Sequence, residues 1–444
     1  MRDRPDTPEI SRGMNHAPCT RLVFGTLAAI VLLSACGGNG SGSGVATNDA
    51  PPAGAAPASP ADLSNGLLLA LAVLDQNPDG SPKPLPAQLG ILERKGGEWI
   101  YRTLDDPDSN VFHKAMAYGP RPGEERILTL GGSRAMLKLW SPDGTSETLW
   151  EADFGGRFSR MRDAEAADFD GDGLLDLAIA THDQGVVAVV WAEEGGKYRV
   201  QELDREPNTF VHEIEVGDLD GDGVFEIYAT PSEPNRVDGT PQPGKVVRYV
   251  PKTGEGPTEV AALGDRHAKE ILVADVDGDG RDELYVAVEA VSGGKVEIRR
   301  YDADTPADQG EVVAEIDDTQ TRFLTVGDVD GDGVLEMVAA SFKSGLWLLR
   351  PSGVPGTRWP ATLIDADSSG FEHAAILADL DEDGRDELYV ASDDHDEVRR
   401  YVYQDGKWHS ELLVLHLDGL GRFTWNIMAA PLALLPSSPE PASE

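Results

Sequence analysis

Two cysteines, Cys19 and Cys36, are all that 444 residues contain, so no disulfide framework can hold this fold. Basic residues are scarce as well: 38 Lys and Arg stand against 78 Asp and Glu, a formal charge of −40. A field of that sign repels nucleic acid and anionic lipid and draws in cations. No segment shows a helical period, no glycine loop of the phosphate-cradling kind precedes a helix, and no Ser/His/Asp or His-x-x-His arrangement is visible. The commonest nucleotide-binding and hydrolytic signatures are thereby missing. Strong acidity with few apolar residues would mean disorder. Here 40% of the residues are hydrophobic, in regular short runs, and the body of the chain therefore folds.

What is present begins with an address. Arg21 precedes the apolar stretch Leu22–Leu33, the length of a secretory h-region and too short to span a bilayer comfortably. It runs into Leu33-Ser34-Ala35-Cys36, which resembles a bacterial lipobox and implies cleavage before Cys36 and acylation of its thiol. An ordinary secretory signal with an incidental cysteine is the other reading. Met14 would give a more usual signal length than Met1, and Gly37 after the cysteine favours, by family analogy, the outer membrane. Residues 1–35 are thus read as a lipoprotein signal peptide. Residues 36–62, rich in Gly, Ser, Ala and Pro, read as a lipidated cysteine and flexible tether. Residues 437–444 read as a disordered tail.

The body, residues 63–436, is governed by a repeat. Five segments match: Asp168–Asp176, Asp218–Glu226, Asp275–Glu283, Asp328–Glu336 and Asp379–Glu387, with starts 50, 57, 53 and 51 residues apart. Gly-Arg-Asp-Glu-Leu-Tyr-Val-Ala occurs twice, at Gly280–Ala287 and Gly384–Ala391. Each loop follows a short apolar strand ending in Ala-Asp or Gly-Asp and precedes a β-rich run and two further strands. Four short antiparallel strands per ~50 residues describe a propeller blade. Phe112–Tyr118, Arg126–Gly131, Ala135–Trp140 and Glu147–Trp150 give another blade, with Gly119–Gly123 in place of the acidic loop. Leu67–Leu74, Leu89–Glu93 and Trp99–Leu104 lack an inner strand, which Phe423–Ala430 would supply. The expected fold is an all-β, seven-bladed β-propeller closed by pairing the C-terminal strand with the N-terminal blade. One misassigned segment would make it six or eight.

The loops read Asp-x-Asp-x-Asp-Gly-x-x-Asp/Glu. Their carboxylates are Asp168, Asp170, Asp172 and Asp176; Asp218, Asp220, Asp222 and Glu226; Asp275, Asp277, Asp279 and Glu283; Asp328, Asp330, Asp332 and Glu336; Asp379, Asp381, Asp383 and Glu387. The backbone carbonyl of position seven (Leu174, Val224, Arg281, Val334, Arg385) completes each oxygen set. Clustered carboxylates repel one another unless a cation sits among them. So many charged oxygens suit calcium better than the small octahedral magnesium ion. Position twelve, a bidentate Glu in an EF-hand, is Ile179, Ala229, Val286, Ala339 and Val390, and strands rather than helices flank each loop. About five structural calcium sites are expected. Glu382, which replaces the usual position-four glycine, marks the least regular of them.

On these residues the chain resembles the FG-GAP and VCBS-type repeats of bacterial surface proteins and, more distantly, the integrin α-subunit propeller. The resemblance covers about residues 160–400. The Phe-Gly and Gly-Ala-Pro elements that name the family are poorly represented, and integrin-like adhesion is not implied.

Six residues before each first Asp stands a basic or potentially basic side chain: Arg162, His212, Lys269, Arg322 or His373. The resemblance puts the calcium loops at the far end of the same strands. These five would then encircle the channel mouth as a seat for an anionic ligand, such as a uronate-containing glycan or a phosphate. Alternatively each pairs with a neighbouring acid: Asp163, Glu213, Glu270 or Glu372. The functional expectation is an extracytoplasmic, lipid-anchored binding or scaffold module for a glycan or protein ligand. The alternative is a calcium-dependent polysaccharide lyase or hydrolase working at the channel mouth. A quinone-cofactor dehydrogenase is discounted, because its tryptophan-docking repeats are missing.

Overall fold

A computed structural model describes residues 54–55, 60 and 62–437 apart from 156–158, 183, 232 and 355. The expected signal peptide, Cys36, most of the tether and the tail beyond Ser437 lie outside the described residues. Among the described residues the regular secondary structure is strand throughout, apart from one short 3-10 turn at Leu432–Leu434.

Seven separate antiparallel sheets follow one another as seven blades. Blade 1 uses Gly421–Pro431, Asn65–Gln76, Ala87–Lys95 and Glu98–Asp106, from inside to outside. Blade 2 uses Phe112–Tyr118, Arg126–Gly131, Ala135–Trp140 and Ser146–Ala152. The inner strands of blades 3 to 7 are Met161–Ala167, Ile214–Gly217, Ala268–Ala274, Thr321–Gly327 and Ala375–Ala378.

Why each stretch folds this way is visible in its burial. The second strands Asp176–Thr181, Glu283–Val288, Glu336–Ser341 and Glu387–Ser392 are buried at every position. They lie between two blades and read as continuous apolar runs. Fourth strands such as Lys197–Arg205 alternate exposed and half-buried, as a half-solvated edge must. Seven hydrophobic clusters result, each drawn from two adjacent blades. The one joining blades 7 and 1 contains Ala374, Tyr389 and Val414 from one side, and Leu67, Leu69, Leu71 and Ile427 from the other. Trp140, Trp191 and Trp347, on third strands, pack into these clusters.

The ring closes as expected. Gly421–Pro431 pairs antiparallel with Asn65–Gln76, Leu67 facing Ala429 and Leu74 facing Gly421, so no inner edge is left unpaired there. Part of the stretch read as a tether is ordered. Gly54 and Ala55 pair in parallel with His409 and Ser410 on the outer strand of blade 7, and Asp62 accepts a hydrogen bond from Gly96 N at 2.7 Å.

The acidic loops also join neighbouring blades. Asp282 in the loop of blade 5 accepts from Asp218 N at 2.8 Å, and Asp386 in blade 7 accepts from Asp328 N at 2.8 Å. The residue before the receiving loop is then Gly217 or Gly327, because a Cβ there would meet the Asp282 Oδ2 at 2.8 Å or the Asp386 Oδ2 at 2.6 Å. Where the next blade carries an apolar residue instead, as at Phe225 or Leu335, the same position is Ala167 or Ala274. The alternation of Gly-Asp with Ala-Asp is thus a packing rule between loops.

Candidate metal loops and a ring of bulged residues

Both candidate sites are mounted on the inner strands, at opposite ends and about 20 Å apart at ~3.3 Å per residue.

At the first end, the carboxylate of the leading Asp organises its loop. Asp168 accepts from the backbone N of Gly171, Asp172 and Gly173 at 2.8, 3.1 and 2.9 Å. Asp275 and Asp328 repeat all three contacts, while Asp218 and Asp379 keep the last two. Positions four and six take positive φ, as at Gly171 (82°) and Gly173 (89°), a region glycine enters without a Cβ penalty. Glu382 holds φ 58° without being glycine. Its carboxylate accepts a hydrogen bond from Ser64 of the incoming chain, which ties the last acidic loop to blade 1.

Carboxylate oxygens lie within 4.8 Å of one another in five groups: Asp168, Asp170 and Asp176; Asp218, Asp220 and Asp222; Asp275, Asp277, Asp279 and Glu283; Asp328, Asp330 and Asp332; Asp379, Asp381 and Asp383. An all-oxygen, multiply charged donor set in a flexible loop fits a hard divalent cation such as calcium. The ninth-position acid is shared with an arginine that sequence reading missed. Glu226 accepts from Arg248 at 3.0 Å, Glu283 from Arg300 at 3.2 Å and Glu387 from Arg400 at 2.8 Å, while Glu336 pairs with Arg350. The signal was there: these arginines recur 52, 50 and 50 residues apart on third strands. In blade 3, Asp176 accepts instead from Phe169 N at 3.2 Å and Ala192 N at 2.8 Å, and burial, with Asp170 and Asp172 nearby, pushes its carboxyl up to about 6.

At the other end, a β-bulge marks the ring. Arg162, Lys269 and Arg322 are each skipped in the pairing of their inner strand with the second strand. His113 in blade 2 and Trp425 in blade 1 are skipped in the same way. His212 and His373 stand just ahead of their strands, at the same place relative to the loop. A bulge turns an extra side chain out of the pleat. Each of the seven blades therefore presents one residue here, and sequence spacing had found five; blade 2 has no acidic loop to count from, and blade 1 takes its inner strand from the chain's far end.

The ring is more enclosed than its sequence implies. His373 is fully buried, its Nδ1 against Ser341 O at 2.8 Å and its Nε2 against Ser368 Oγ at 2.7 Å. His212 Nε2 meets Glu233 at 2.9 Å, and Lys269 meets Glu233 at 3.1 Å and Glu289 at 3.8 Å. Arg322 pairs with Glu372 at 2.5 Å, a partner that sequence reading did name. Burial pushes His212 down to about 3 and His373 down to about 4, so both are neutral at ordinary pH. Arg162 differs. It is 7% exposed, forms no ion pair among the described residues, and lies with its guanidinium carbon 5.2 Å from the centre of the Trp425 ring.

Two of the acids next to ring residues are used elsewhere. Asp163 bonds Lys114 at 2.8 Å and accepts from Ile214 N of the next blade at 3.0 Å; Glu270 accepts from Leu324 N of the next blade at 2.7 Å. These contacts stitch inner strands that share no backbone pairing. Burial pushes Glu270 up to about 8 and holds Glu213 well above the usual carboxylate range.

Aromatic rings extend around the mouth from blade 7 to blade 4: Phe371 and Phe423 at 6.4 Å, Phe423 and Trp425 at 6.4 Å, Trp425 and His113 at 4.8 Å, and Phe210 and His182 at 5.0 Å. Three loop histidines lie nearby: His182 reaches this group, His267 is buried near Lys269, and His395 contacts Ser392 at 3.0 Å.

The FG-GAP-like repeat family matches residues 168–229, 275–339 and 328–390. None of the curated proteins matches in sequence. Among solved structures, a Lactobacillus plantarum protein is similar at TM-score 0.54 and 12% identity, over 83% of this chain and 99% of that one. A putative 6-phosphogluconolactonase from Bacteroides fragilis gives TM-score 0.49 at 12% identity, over 83% and 98%. The Dos1 propeller gives 0.49 at 8%, over 80% and 87%. At 12% identity the likeness to the Lactobacillus plantarum protein speaks for the fold alone.

Proposed function

From the premise that this chain is a seven-bladed β-propeller carrying FG-GAP-like repeats, we propose that it is a calcium-stabilised, lipid-anchored module outside the cytoplasm that binds a glycan or protein ligand at the ring end of its channel. The observation carrying this reading is the division of labour along the inner strands. One end bears five acidic loops fit for cations; the other bears one residue from every blade, five of them at bulges, with aromatics and a buried arginine that forms no ion pair among the described residues. A lyase or hydrolase would need a base and a charge-neutralising cation converging on one cleft. Here the ring histidines are buried and held neutral, and the acidic loops lie at the far end of each strand, so binding without turnover is favoured. The acyl anchor at Cys36 and an outer-membrane location rest on the Leu-Ser-Ala-Cys motif and Gly37.

The test is an array of glycans and peptides probed with the propeller body in millimolar calcium and in chelator, followed by Lys269→Ala and Arg322→Ala. Saturable binding that both substitutions weaken supports the reading; no ligand in either class, or binding untouched by the two changes, refutes it.

A further inference from the structure

Three neighbouring ring residues carry nitrogens with nothing to bond. Arg162 Nε, His113 Nε2 and Trp425 Nε1 are all enclosed without a hydrogen-bond partner. They are mutual neighbours: Trp425 lies 4.8 Å from the His113 ring and 5.2 Å from the Arg162 guanidinium. His113 is fixed through its other nitrogen, Nδ1, which sits 2.6 Å from Met161 O. Neutral His113 therefore carries its proton on Nδ1 and offers Nε2 as an acceptor, whereas Arg162 Nε and Trp425 Nε1 are donors. Buried polar groups are nearly always satisfied in folded proteins, so this contact group asks for a ligand that brings both an acceptor and a donor.

The charge balance asks for that acceptor to be an anion. Arg162 keeps its charge under all ordinary conditions. Glu213 and Glu270 lie within its field, which opposes the upward push of burial on both carboxyls, but neither forms an ion pair with it among the described residues, and Asp163 is already bound to Lys114. His113 is itself held neutral by burial and by the positive fields of Arg162 and Arg160. A buried guanidinium with no anion beside it is costly. Its Nε is enclosed without a partner, and the residue keeps 7% of its surface exposed.

We propose that Arg162 and Trp425, from the inner strands of blades 3 and 1, form a carboxylate subsite for a uronate-bearing glycan, and that His113 Nε2 in blade 2 accepts a hydrogen bond from a hydroxyl of the same sugar. This rests on the binding-module reading above and specifies its ligand. The planar guanidinium fork matches a carboxylate in two-point geometry. The indole beside it supplies an apolar wall, and the half-buried Phe423 and Phe371 continue that wall along blades 1 and 7. Apolar lining with a few convergent polar groups suits a sugar ring bearing one acid better than a flexible acidic peptide.

The experiment is calorimetric titration of the propeller body, in millimolar calcium, with a galacturonate trisaccharide, its methyl ester and an acidic peptide. Trp425 quenching is followed in parallel. The free acid is expected to bind, and the ester to bind about 30-fold or more weakly, the loss typical of unpairing a buried charged group. Arg162→Gln loses the same factor, Arg162→Lys recovers part of it, and Trp425→Phe loses the quenching. Arg358→Ala, on the outside of blade 6, changes nothing. Melting curves check that each variant folds, and Trp425→Phe preserves the packing if Arg162→Gln does not fold. Equal affinity for acid and ester, or indifference to Arg162→Gln, overturns the subsite while leaving the module reading intact. Tighter binding of the peptide overturns the glycan assignment. No binding of any probe overturns the subsite, while the broader reading falls only to the array and ring substitutions described above.

Discussion

Replacing Gly327 by alanine adds one methyl group where the loops of blades 6 and 7 meet. Its Cβ would stand 2.6 Å from Asp386 Oδ2 and 2.9 Å from that residue's Cβ and Cγ. Asp386 must withdraw, and with it the acceptor for Asp328 N at 2.8 Å. A hydrogen bond to a charged group contributes about 1.5–3 kcal/mol, and overpacking costs about 1–3 kcal/mol. Asp386 partly relieves the clash by moving, so the expected loss is about 3 kcal/mol. The reverse change in blade 5, Ala274→Gly, should cost only about 0.5–1 kcal/mol, the entropy of an added glycine. Pairing Gly327→Ala with Asp386→Leu recreates the Ala274 and Leu335 arrangement and should recover much of the loss. The assay is urea unfolding at fixed, saturating calcium. If Gly327→Ala lies within about 0.5 kcal/mol of the parent, or the double variant is no better than the single, the packing rule between loops is wrong.

Calcium removal should lower the melting temperature of the propeller body. At about millimolar calcium and dissociation constants of ~0.1–1 mM each site adds on the order of 0.5–1.5 kcal/mol; identical melts in EGTA would dispose of the metal loops. Arg322→Met leaves Glu372 buried and unpaired and should cost about 3–5 kcal/mol in urea unfolding, part of it regained by adding Glu372→Gln. Glu270 is an acid raised to about 8 in the fold against ~4.3 unfolded. The native state therefore holds the extra proton, and this group's contribution is fullest at low pH and declines as pH rises from about 4 to 8. Glu270→Gln, which can still accept from Leu324 N, should flatten that part of the pH–stability curve; an unchanged slope would refute the assignment.

The architecture was legible because spacing encodes it. Asp-x-Asp-x-Asp-Gly at intervals of 50 to 57 residues fixes where each inner strand ends, and apolar runs on either side fix its partners. Phe423–Ala430 could be recognised as the missing inner strand because blade 1 otherwise had three. The candidate site was less legible, for two physical reasons. Which partner a buried cation finds is a matter of tertiary approach: Arg322 takes Glu372 from the next blade, 50 residues on, and His212 and Lys269 share Glu233 from another loop. Exposure is also invisible to spacing, so a ring that reads as uniformly basic turned out to contain neutral, buried histidines and one arginine with no ion pair among the described residues. Trp425 had no repeat of its own to belong to, and no periodic argument could have placed it beside Arg162.

The strand Gly421–Pro431 is both the clasp of the circle and the bearer of Trp425. A molecule whose clasp has sprung keeps six complete blades but has no indole over the guanidinium, and so offers an incoming acid only half a pocket. Whatever fills the pocket must then favour the fastened state by mass action. Ligand and clasp reinforce each other, and an occupied propeller should resist proteases acting near its C-terminal strand better than an empty one.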